Sequence, residues 1–449
     1  MLSVWALGAE RSSQLRAALA AELLLFVATG ILARLQLFGS WSPVSLASWS
    51  LTLYCVPVAA SLWVGAELFD LRLLEGDGLA LACVLSAIGH AGFMLPVALR
   101  LHYRGQQVKH VAATVRPNVI AAFALAGIGA IAGVKFAVFD AGISAIESGS
   151  YADRYLLMSG QGPTLALLPF WSVGMLALLL HFVRARRVVP AFAILCIGLS
   201  GLLLWTGLIG SKSLFVQLLL SSLFIVHAEV RRLPAVLLGA IVLGGIAAAT
   251  LHSLGGRTLS LDVFALAREA NVAILNPANT EFGAAAATIA DVAQAVPAEV
   301  PYRWGSTYLL AFPVLVPKFI WPARPLAPGE WYAARFYPDV WEAGGAWAFS
   351  PIAEALLNFG VVGVFALLFV IGAVLTSAEY LLSVGTPAGE YRTLILASLF
   401  PQMLLFGRLD SVSFIKGFGL SVLAGLVVLR VLSGMLAVRA SLPPPEEGR

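Results

Sequence analysis

The sequence predicts an all-α polytopic membrane protein. Its 449 residues are 60% hydrophobic and only 12% charged, which is too apolar for a soluble domain. Apolar stretches of about 20 residues, the length that a helix needs to cross roughly 30 Å of hydrocarbon, recur along the chain. The alternation of apolar and polar residues that is typical of membrane barrels is absent, so helices are the predicted way to satisfy the backbone in lipid.

We predict about eleven spans, each long enough to cross the hydrocarbon. They lie near residues 15–33, 43–66, 78–99, 117–139, 163–183, 188–209, 213–228, 234–251, 351–376, 393–406 and 411–436. The chain then divides into an N-terminal bundle at 1–251, a loop at 252–350, C-terminal helices at 351–437 and a tail at 438–449. The cysteines fall inside predicted spans and are interpreted as small apolar fillers: Cys55, Cys83 and Cys196.

The orientation follows from Lys and Arg, which are retained on the cytoplasmic side of short loops. Basic residues gather at 100–116, 184–187 and 231–232, whereas the connections at 67–77 and 140–154 are acidic or balanced. The loop at 252–350 is therefore predicted to be extracytoplasmic. The first hydrophobic stretch lacks a small-residue cleavage pattern and is expected to be a retained helix. A formal net charge of +4 is too small and dispersed to indicate nucleic acid.

A loop of this length requires a reason beyond connecting two helices. It is predicted to open with a helix at 258–275, near which Arg257 and Arg268 lie eleven residues apart and share one face. Two guanidiniums on one face suit a diphosphate, because each offers a planar fork to phosphate oxygens. The alternative is an ordinary solvated face balanced by neighbouring acids.

A second helix is predicted to start at Asn279 and to run to about residue 296. Glu281 lies in its first turn. An acid there complements the helix dipole, but it also precedes an uncharged Ala-rich stretch, where desolvation raises the pKa of a carboxyl toward that of a general base. Both interpretations remain open.

Aromatic and basic residues interleave farther along the loop. Tyr302–Tyr308 precedes an apolar stretch of about a dozen residues, which is too short to span and is predicted to be a re-entrant or interfacial helix. An aromatic belt at the membrane surface explains the rings alone. It does not explain the cations among them, which favour a surface for a sugar-bearing lipid diphosphate. The candidate binding residues are Arg303, Trp304, Tyr308, Lys318, Trp321 and Arg324, with Arg335 nearby.

Charged groups within spans are functional hypotheses by default. Glu354 lies one turn into the ninth span, and Asn358 lies four residues on and thus on the same face. Lys212, at a turn between two spans, is a further binding candidate, although ordinary snorkelling also explains it. Other polar residues in spans are predicted to be internal hydrogen-bonding partners: Lys135, Lys416, His90 and His181.

Three segments together resemble the Wzy-type O-antigen and oligosaccharide repeat-unit polymerases. They are Gly210–Ser213, Pro317–Pro325 and Glu354–Gly360 with Gly363. In that family the second segment typically reads Pro-Arg-x-x-Trp-Pro-x-Lys-Pro and the third Gly-Glu-x-x-x-Asn-Phe-Gly. This chain departs by Lys318, Arg324 and Ala353, and the first two departures keep the charge but alter the fork geometry. The resemblance covers roughly residues 205–365.

The resemblance implies a GT-C-like, inverting glycosyltransferase of the bacterial inner membrane, related to the O-antigen ligases. It would polymerise repeat units carried on undecaprenyl diphosphate, with no cofactor or metal. Chain-length regulator and flippase proteins would be partners. Cations would stabilise the leaving diphosphate, and a carboxylate or the substrate would take the proton. The predicted roles place Arg257, Arg268, Lys318 and Arg324 at the diphosphate, Glu281 or Glu354 as base or orienter, and Arg303 with Trp304 at the sugar.

Two alternatives stay open at this point. A ligase that transfers finished polymer to another acceptor is of the same enzyme class, and the motifs do not separate it from a polymerase. A lipid-linked oligosaccharide flippase or transporter would place charges at the membrane midplane within repeated halves. The sequence shows no such repeat, and its charges gather in one loop.

Overall fold

The computed structural model is predominantly helical. It describes residues 11–34, 41–63, 76–99, 117–136, 138, 162–209, 213–241, 244, 281–313, 316, 320–342, 345–383 and 389–441, and these contain no β-strand. The predicted all-α class is therefore confirmed for these residues.

The helices fall into a long N-terminal group, a group of short helices and a C-terminal group. The first group comprises α1 (Arg11–Arg34), α2 (Pro43–Trp63), α3 (Gly76–Leu99), α4 (Val119–Lys135), α5 (Gly162–Arg184), α6 (Val188–Ile209) and α7 (Ser213–Glu229). The short group comprises α8 (Glu281–Ala295), α9 (Ser306–Leu309), α10 (Pro328–Phe336) and α11 (Pro338–Glu342). The last group comprises α12 (Pro351–Ser383), α13 (Gly389–Leu404), α14 (Ser411–Phe414) and α15 (Ala424–Ser441).

Six of the described helices are long and apolar enough to cross a membrane. They contain the stretches Leu15–Ala33, Pro43–Ser61, Gly78–Leu99, Thr164–Arg184, Pro351–Leu382 and Ser411–Leu436. Three shorter apolar helices coincide with other predicted spans. They are Val119–Lys135, Val188–Leu203 and Leu214–Glu229. The predicted span near 393–406 is helical as α13, and most of the one near 234–251 lies outside the described residues. The described helices thus support the prediction of a membrane protein with several apolar helices. They do not confirm the predicted number of eleven spans.

The long helices approach one another closely where one of them carries glycine. A Cβ atom added to Gly92 of α3 would lie 2.5 Å from the carbonyl oxygen of Phe365 of α12, and one added to Gly174 of α5 would lie 2.5 Å from the backbone nitrogen of Ala126 of α4. Such contacts are typical of helices in lipid, where close van der Waals packing replaces the hydrophobic drive for association. They place α12 directly on α3.

Three predictions for the loop at 252–350 have different outcomes. The helix expected from Asn279 to about 296 is confirmed as α8, Glu281–Ala295, whereas the helix expected at 258–275 lies outside the described residues. The re-entrant or interfacial helix expected after Tyr308 is described only in part. The helix α9 ends at Leu309, and turns follow through Pro313, whereas most of the remaining stretch lies outside the described residues.

Candidate functional site

The candidate site is built on a break in α12. Gly360 has φ 67° and ψ −162°, a conformation that is essentially restricted to glycine. The break frees two carbonyl groups, and the incoming loop uses them: the backbone nitrogen of Arg303 donates to Leu357 O at 3.1 Å, and that of Trp304 donates to Asn358 O at 3.2 Å. The loop before α9 is therefore fastened to the helix by its main chain.

Glu354 lies six residues, nearly two helical turns, before this break and holds two further segments. Its Oε1 accepts from Thr307 Oγ1 at 2.8 Å and from Ser411 Oγ at 2.7 Å. Its Oε2 accepts from the backbone nitrogen of Ser411 at 2.7 Å. The side chain is only 1% exposed. The buried carboxylate accepts three hydrogen bonds, and these connect α12 to α9 and to α14. We call this set of contacts the Glu354 tether.

Asn358 completes the same network. Its Nδ2 donates to Thr307 Oγ1 and to Glu354 O, both at 2.7 Å, and its Oδ1 accepts from the backbone nitrogen of Gly305 at 2.8 Å. The buried amide is thus saturated on both sides. The predicted shared face of Glu354 and Asn358 is confirmed, and Thr307 is the residue on which both side chains converge.

A second carboxylate, Asp410, lies beside the first. It caps α14, accepting from the backbone nitrogen of Ser413 at 2.9 Å and from Ser413 Oγ at 2.8 Å. Burial raises the pKa of Asp410, although the Ser413 hydrogen bonds and the charge of Lys416 act in the opposite direction. Two buried acids therefore meet where α12 and α14 join. A π-helical stretch, Ile415–Leu423, follows α14 directly, and such stretches are frequent near functional sites.

Arg324 is held near this region by an acidic residue, Glu330. It is buried, and its Nη2 contacts Glu330 Oε1 at 3.3 Å, while Glu330 Oε2 accepts from the backbone nitrogen of Ala327 at 2.9 Å. Ala327 packs on Val412, next to the two acids. The guanidinium of Arg324 is thus buried against an acid of its own segment, and its predicted role at the diphosphate remains a prediction.

The exposed part of the site is aromatic and basic. Trp304 is 75% exposed, and its ring lies edge-on to Tyr302 and Phe359, with centroids 5.6 Å and 6.5 Å away. Arg303 is exposed as well, with its guanidinium carbon 5.9 Å from the centroid of the Trp331 ring. We call Tyr302, Arg303, Trp304 and Phe359 the aromatic-basic surface. This surface is adjacent to the contacts of Glu354, because the backbone of Arg303 and Trp304 bonds the carbonyl groups of Leu357 and Asn358.

The two predicted binding residues Tyr308 and Trp321 differ in exposure. Trp321 is exposed, whereas the Tyr308 hydroxyl is buried beside Asn358 without a hydrogen bond of good geometry. Burial raises the pKa of Tyr308, and the charge of Glu354 raises it further. Tyr308 is therefore a neutral hydroxyl group within the site.

Several predicted site residues cannot be placed. Arg257, Arg268, Lys212 and Lys318 lie outside the described residues. Glu281 is the first residue of α8, but its side chain also lies outside the description. Their predicted roles remain predictions. Among the residues that are described, no three His, Cys, Asp or Glu side chains are grouped as a possible metal site.

Sequence analysis missed Thr307, Ser411, Glu330 and Asp410. Only Asp410 carried a local signal, since Asp-Ser-x-Ser before an apolar run is typical of a helix N-terminus. Ser411 contacts Glu354 across 57 residues of chain, a separation that no local pattern reveals.

A buried pair between α8 and α10 supports the loop. Tyr332 Oη donates to Asp291 Oδ2 at 2.5 Å, and burial raises the pKa of Asp291. Tyr332 also contacts Phe349, which immediately precedes α12. The pair therefore fixes the short helices against the start of the helix that carries Glu354.

Comparison with known proteins gives no relative. No protein-family model, curated protein or solved structure matches the chain.

Proposed function

We propose that the protein is a membrane glycosyltransferase that polymerises oligosaccharide repeat units carried on undecaprenyl diphosphate. One observation carries this proposal. Two residues of the motif that resembles the polymerases, Glu354 and Asn358, hold the loop bearing Arg303 and Trp304 at the break of α12. The motif thus has a physical task, which is to present the aromatic-basic surface at one end of a membrane helix.

The chemistry of that surface suits a sugar lipid. Aromatic rings offer apolar faces to sugars, and an exposed guanidinium offers a fork to phosphate oxygens. A substrate anchored in lipid would approach the end of a membrane-spanning helix from the bilayer. Arg303 is the exposed cation of this surface and the first candidate for the diphosphate. Arg257, Arg268, Lys318, Arg324 and Lys212 remain further candidates.

Glu354 fits the role of orienter better than that of general base. A base must reach the acceptor hydroxyl, whereas this carboxylate is buried and accepts three hydrogen bonds from Thr307 and Ser411. We therefore assign it the positioning of the loop. Glu281 or a group of the substrate remains the candidate for the proton acceptor.

The test is elongation by the purified protein. Liposomes containing the protein would be given lipid-linked repeat units in the presence of EDTA, and the products separated by size. The proposal predicts a ladder of polymer. Arg303→Ala should reduce it by about 10- to 100-fold, the loss of one charge-assisted contact. Arg335→Ala is the matched control, because this exposed arginine instead pairs with Glu299 at 2.8 Å. The absence of a ladder from wild-type protein would overturn the proposal.

A host lacking the gene separates polymerase from ligase. Lipopolysaccharide capped with single units indicates a lost polymerase. Long lipid-linked chains that accumulate without transfer indicate a lost ligase.

A transporter is the second candidate, on one observation. Glu22 and His90 form a pair 2.7 Å apart, fully buried between membrane-spanning helices, and such pairs are frequent in transporters. The charges therefore do not all gather in the loop. Movement of labelled lipid-linked units across liposomes without elongation would favour this candidate.

A further inference from the structure

Four exposed arginines lie on two turns of the bundle, far from the candidate site. Arg186 and Arg187 lie in the turn between α5 and α6, and Arg231 and Arg232 follow α7. Among the residues that the structure describes, none forms an ion pair with these four side chains. We call the four residues the arginine surface.

A largely buried contact holds the two turns side by side. Arg184, the last residue of α5, donates from Nη2 to Glu229 Oε1 at 2.6 Å and from Nε to Glu229 Oε2 at 3.1 Å. Glu229 is the last residue of α7, and its Oε1 also accepts from Thr393 Oγ1 of α13 at 2.8 Å. Because this carboxylate is already bonded on both oxygens, it does not compensate the charge of the arginine surface.

Main-chain hydrogen bonds fix the shape of both turns. The backbone nitrogen of Arg187 donates to Phe182 O at 3.0 Å, and this closing turn places Arg186 at φ 56°, in the left-handed region that glycine usually occupies at helix ends. On the other turn, His227 Nδ1 accepts from the backbone nitrogen of Leu233 at 2.9 Å. An arginine at a position that favours glycine breaks a local rule, which is expected at functional sites.

The arginine surface lies at the opposite end of the bundle from the candidate site. Glu379, near the end of α12, accepts from Ser42 Oγ at 2.8 Å, and the neighbouring Trp41 stacks on His227, near the end of α7, with ring centroids 5.3 Å apart. The ends of α7 and α12 are therefore close together. Glu354 lies about 25 residues before Glu379, which corresponds to about 37 Å of helix.

Apolar side chains flank the arginines and place them at the lipid boundary. Val188 and Val189 follow Arg187 directly and are 78% and 80% exposed, and Val230, which precedes Arg231, is 61% exposed. On a bundle of apolar helices such side chains face hydrocarbon, and arginines beside them extend to the headgroup layer. A soluble acidic partner would account for the charge alone. A lipid accounts for both the charge and the exposed valines.

We propose that the arginine surface binds the headgroups of anionic phospholipids. A guanidinium offers two parallel N–H groups to phosphate oxygens. Clusters of about four to eight Lys and Arg residues beside a membrane helix attract anionic lipid, and each residue strengthens the association about fivefold. The acyl chains of the same lipid pack on the exposed valines at the start of α6.

Site-specific cross-linking tests this assignment. Benzoylphenylalanine would replace Val230 in the full-length protein, which would be reconstituted in vesicles of phosphatidylcholine and phosphatidylglycerol. After irradiation, mass spectrometry gives the ratio of phosphatidylglycerol to phosphatidylcholine attached to the reporter. Dividing this ratio by the ratio in the vesicles gives the enrichment of the anionic lipid. Leu203 is the control position, because it is 55% exposed and lies about 20 Å along α6 from the arginines.

The variants remove equal charge from different places. Arg186→Gln/Arg187→Gln removes the arginines of the other turn, so the immediate neighbours of the reporter stay the same. Arg16→Gln/Arg335→Gln is the matched control, because Arg16 is exposed on α1 and Arg335 pairs with Glu299. Arg186→Gly removes one arginine and relieves the left-handed backbone, so a destabilised turn cannot cause its effect.

The proposal predicts an enrichment of about 5- to 30-fold at position 230 in wild type, the factor for contact with one or two arginines, and none at position 203. The enrichment should fall about fivefold or more in Arg186→Gln/Arg187→Gln, fall in Arg186→Gly, and stay unchanged in Arg16→Gln/Arg335→Gln. It should also fall as sodium chloride is raised from about 0.01 M to about 0.5 M, since salt screens exposed charges.

The absence of enrichment at position 230 in wild type overturns the proposal, and so does enrichment that persists in both Arg186→Gln/Arg187→Gln and Arg186→Gly. Inorganic phosphate separates a lipid headgroup from a soluble anion. At equal ionic strength, phosphate should leave the same enrichment as sodium chloride, whereas its selective loss in phosphate would show that the surface takes the soluble ion. These outcomes do not depend on whether the protein elongates polysaccharide.

Discussion

Replacing Gly360 tests the geometry on which the site is built. A side chain at φ 67° and ψ −162° costs about 1–3 kcal/mol in backbone strain. Its Cβ would also lie 3.0 Å from Tyr302 Oη, so the Tyr302 ring must move. If the helix straightens instead, the hydrogen bonds from Arg303 and Trp304 to the helix carbonyls are lost, at about 0.5–1.5 kcal/mol each. The backbone strain and the loss of these hydrogen bonds are partly alternative outcomes, so their costs do not add in full. Gly360→Ala should therefore lower the free energy of unfolding by about 2–4 kcal/mol.

The assay is equilibrium unfolding of the purified protein in mixed detergent, followed by tryptophan fluorescence. Gly434→Ala is the matched control, because Gly434 is in α15 and an added Cβ would meet nothing within 4 Å. Alanine there should be neutral or stabilise the protein by up to about 1 kcal/mol. Equal stability of the two variants would refute the argument that the break at Gly360 fastens the loop.

Four further substitutions, at three positions, test individual contacts by the same unfolding assay. Thr307→Val removes a donor from the buried Glu354 and should cost about 1–3 kcal/mol; no loss would mean that the loop is held without this contact. Asp410→Ala removes a helix cap and should cost about 0.5–2 kcal/mol. Asp410→Asn keeps the acceptor and removes a charge. Because burial raises the pKa of Asp410, wild-type stability should fall as the pH rises from about 4, the ordinary aspartate value, through the raised pKa. Asp410→Asn should lack this fall, and an unchanged pH profile would contradict the assignment. Tyr332→Phe leaves Asp291 buried without its donor and should cost about 1–3 kcal/mol, whereas a neutral result would show that water satisfies the acid.

The membrane helices were predictable because hydrophobic length is a local property. The stretch near 15–33 is found as Leu15–Ala33 and that near 411–436 as Ser411–Leu436. The shared face of Glu354 and Asn358 followed equally from their spacing of four residues. These features depend on a few consecutive residues and on helix geometry alone.

The features that depend on distant parts of the chain were not predictable. Glycine is common in membrane helices, so nothing local marked Gly360 as the site of a break. The contacts of Glu354 with Ser411 and of Glu22 with His90 span 57 and 68 residues.

The most direct test of the proposed function asks whether the aromatic-basic surface touches the substrate. A photoreactive benzoylphenylalanine at position 304 would be irradiated in liposomes containing radiolabelled undecaprenyl-diphosphate-linked repeat units. Phe192 provides the matched control, because this aromatic of α6 is 66% exposed but belongs to a helix without site residues. The account predicts strong cross-linking at 304 that excess unlabelled substrate abolishes, and only background at 192. Equal labelling at the two positions would contradict it.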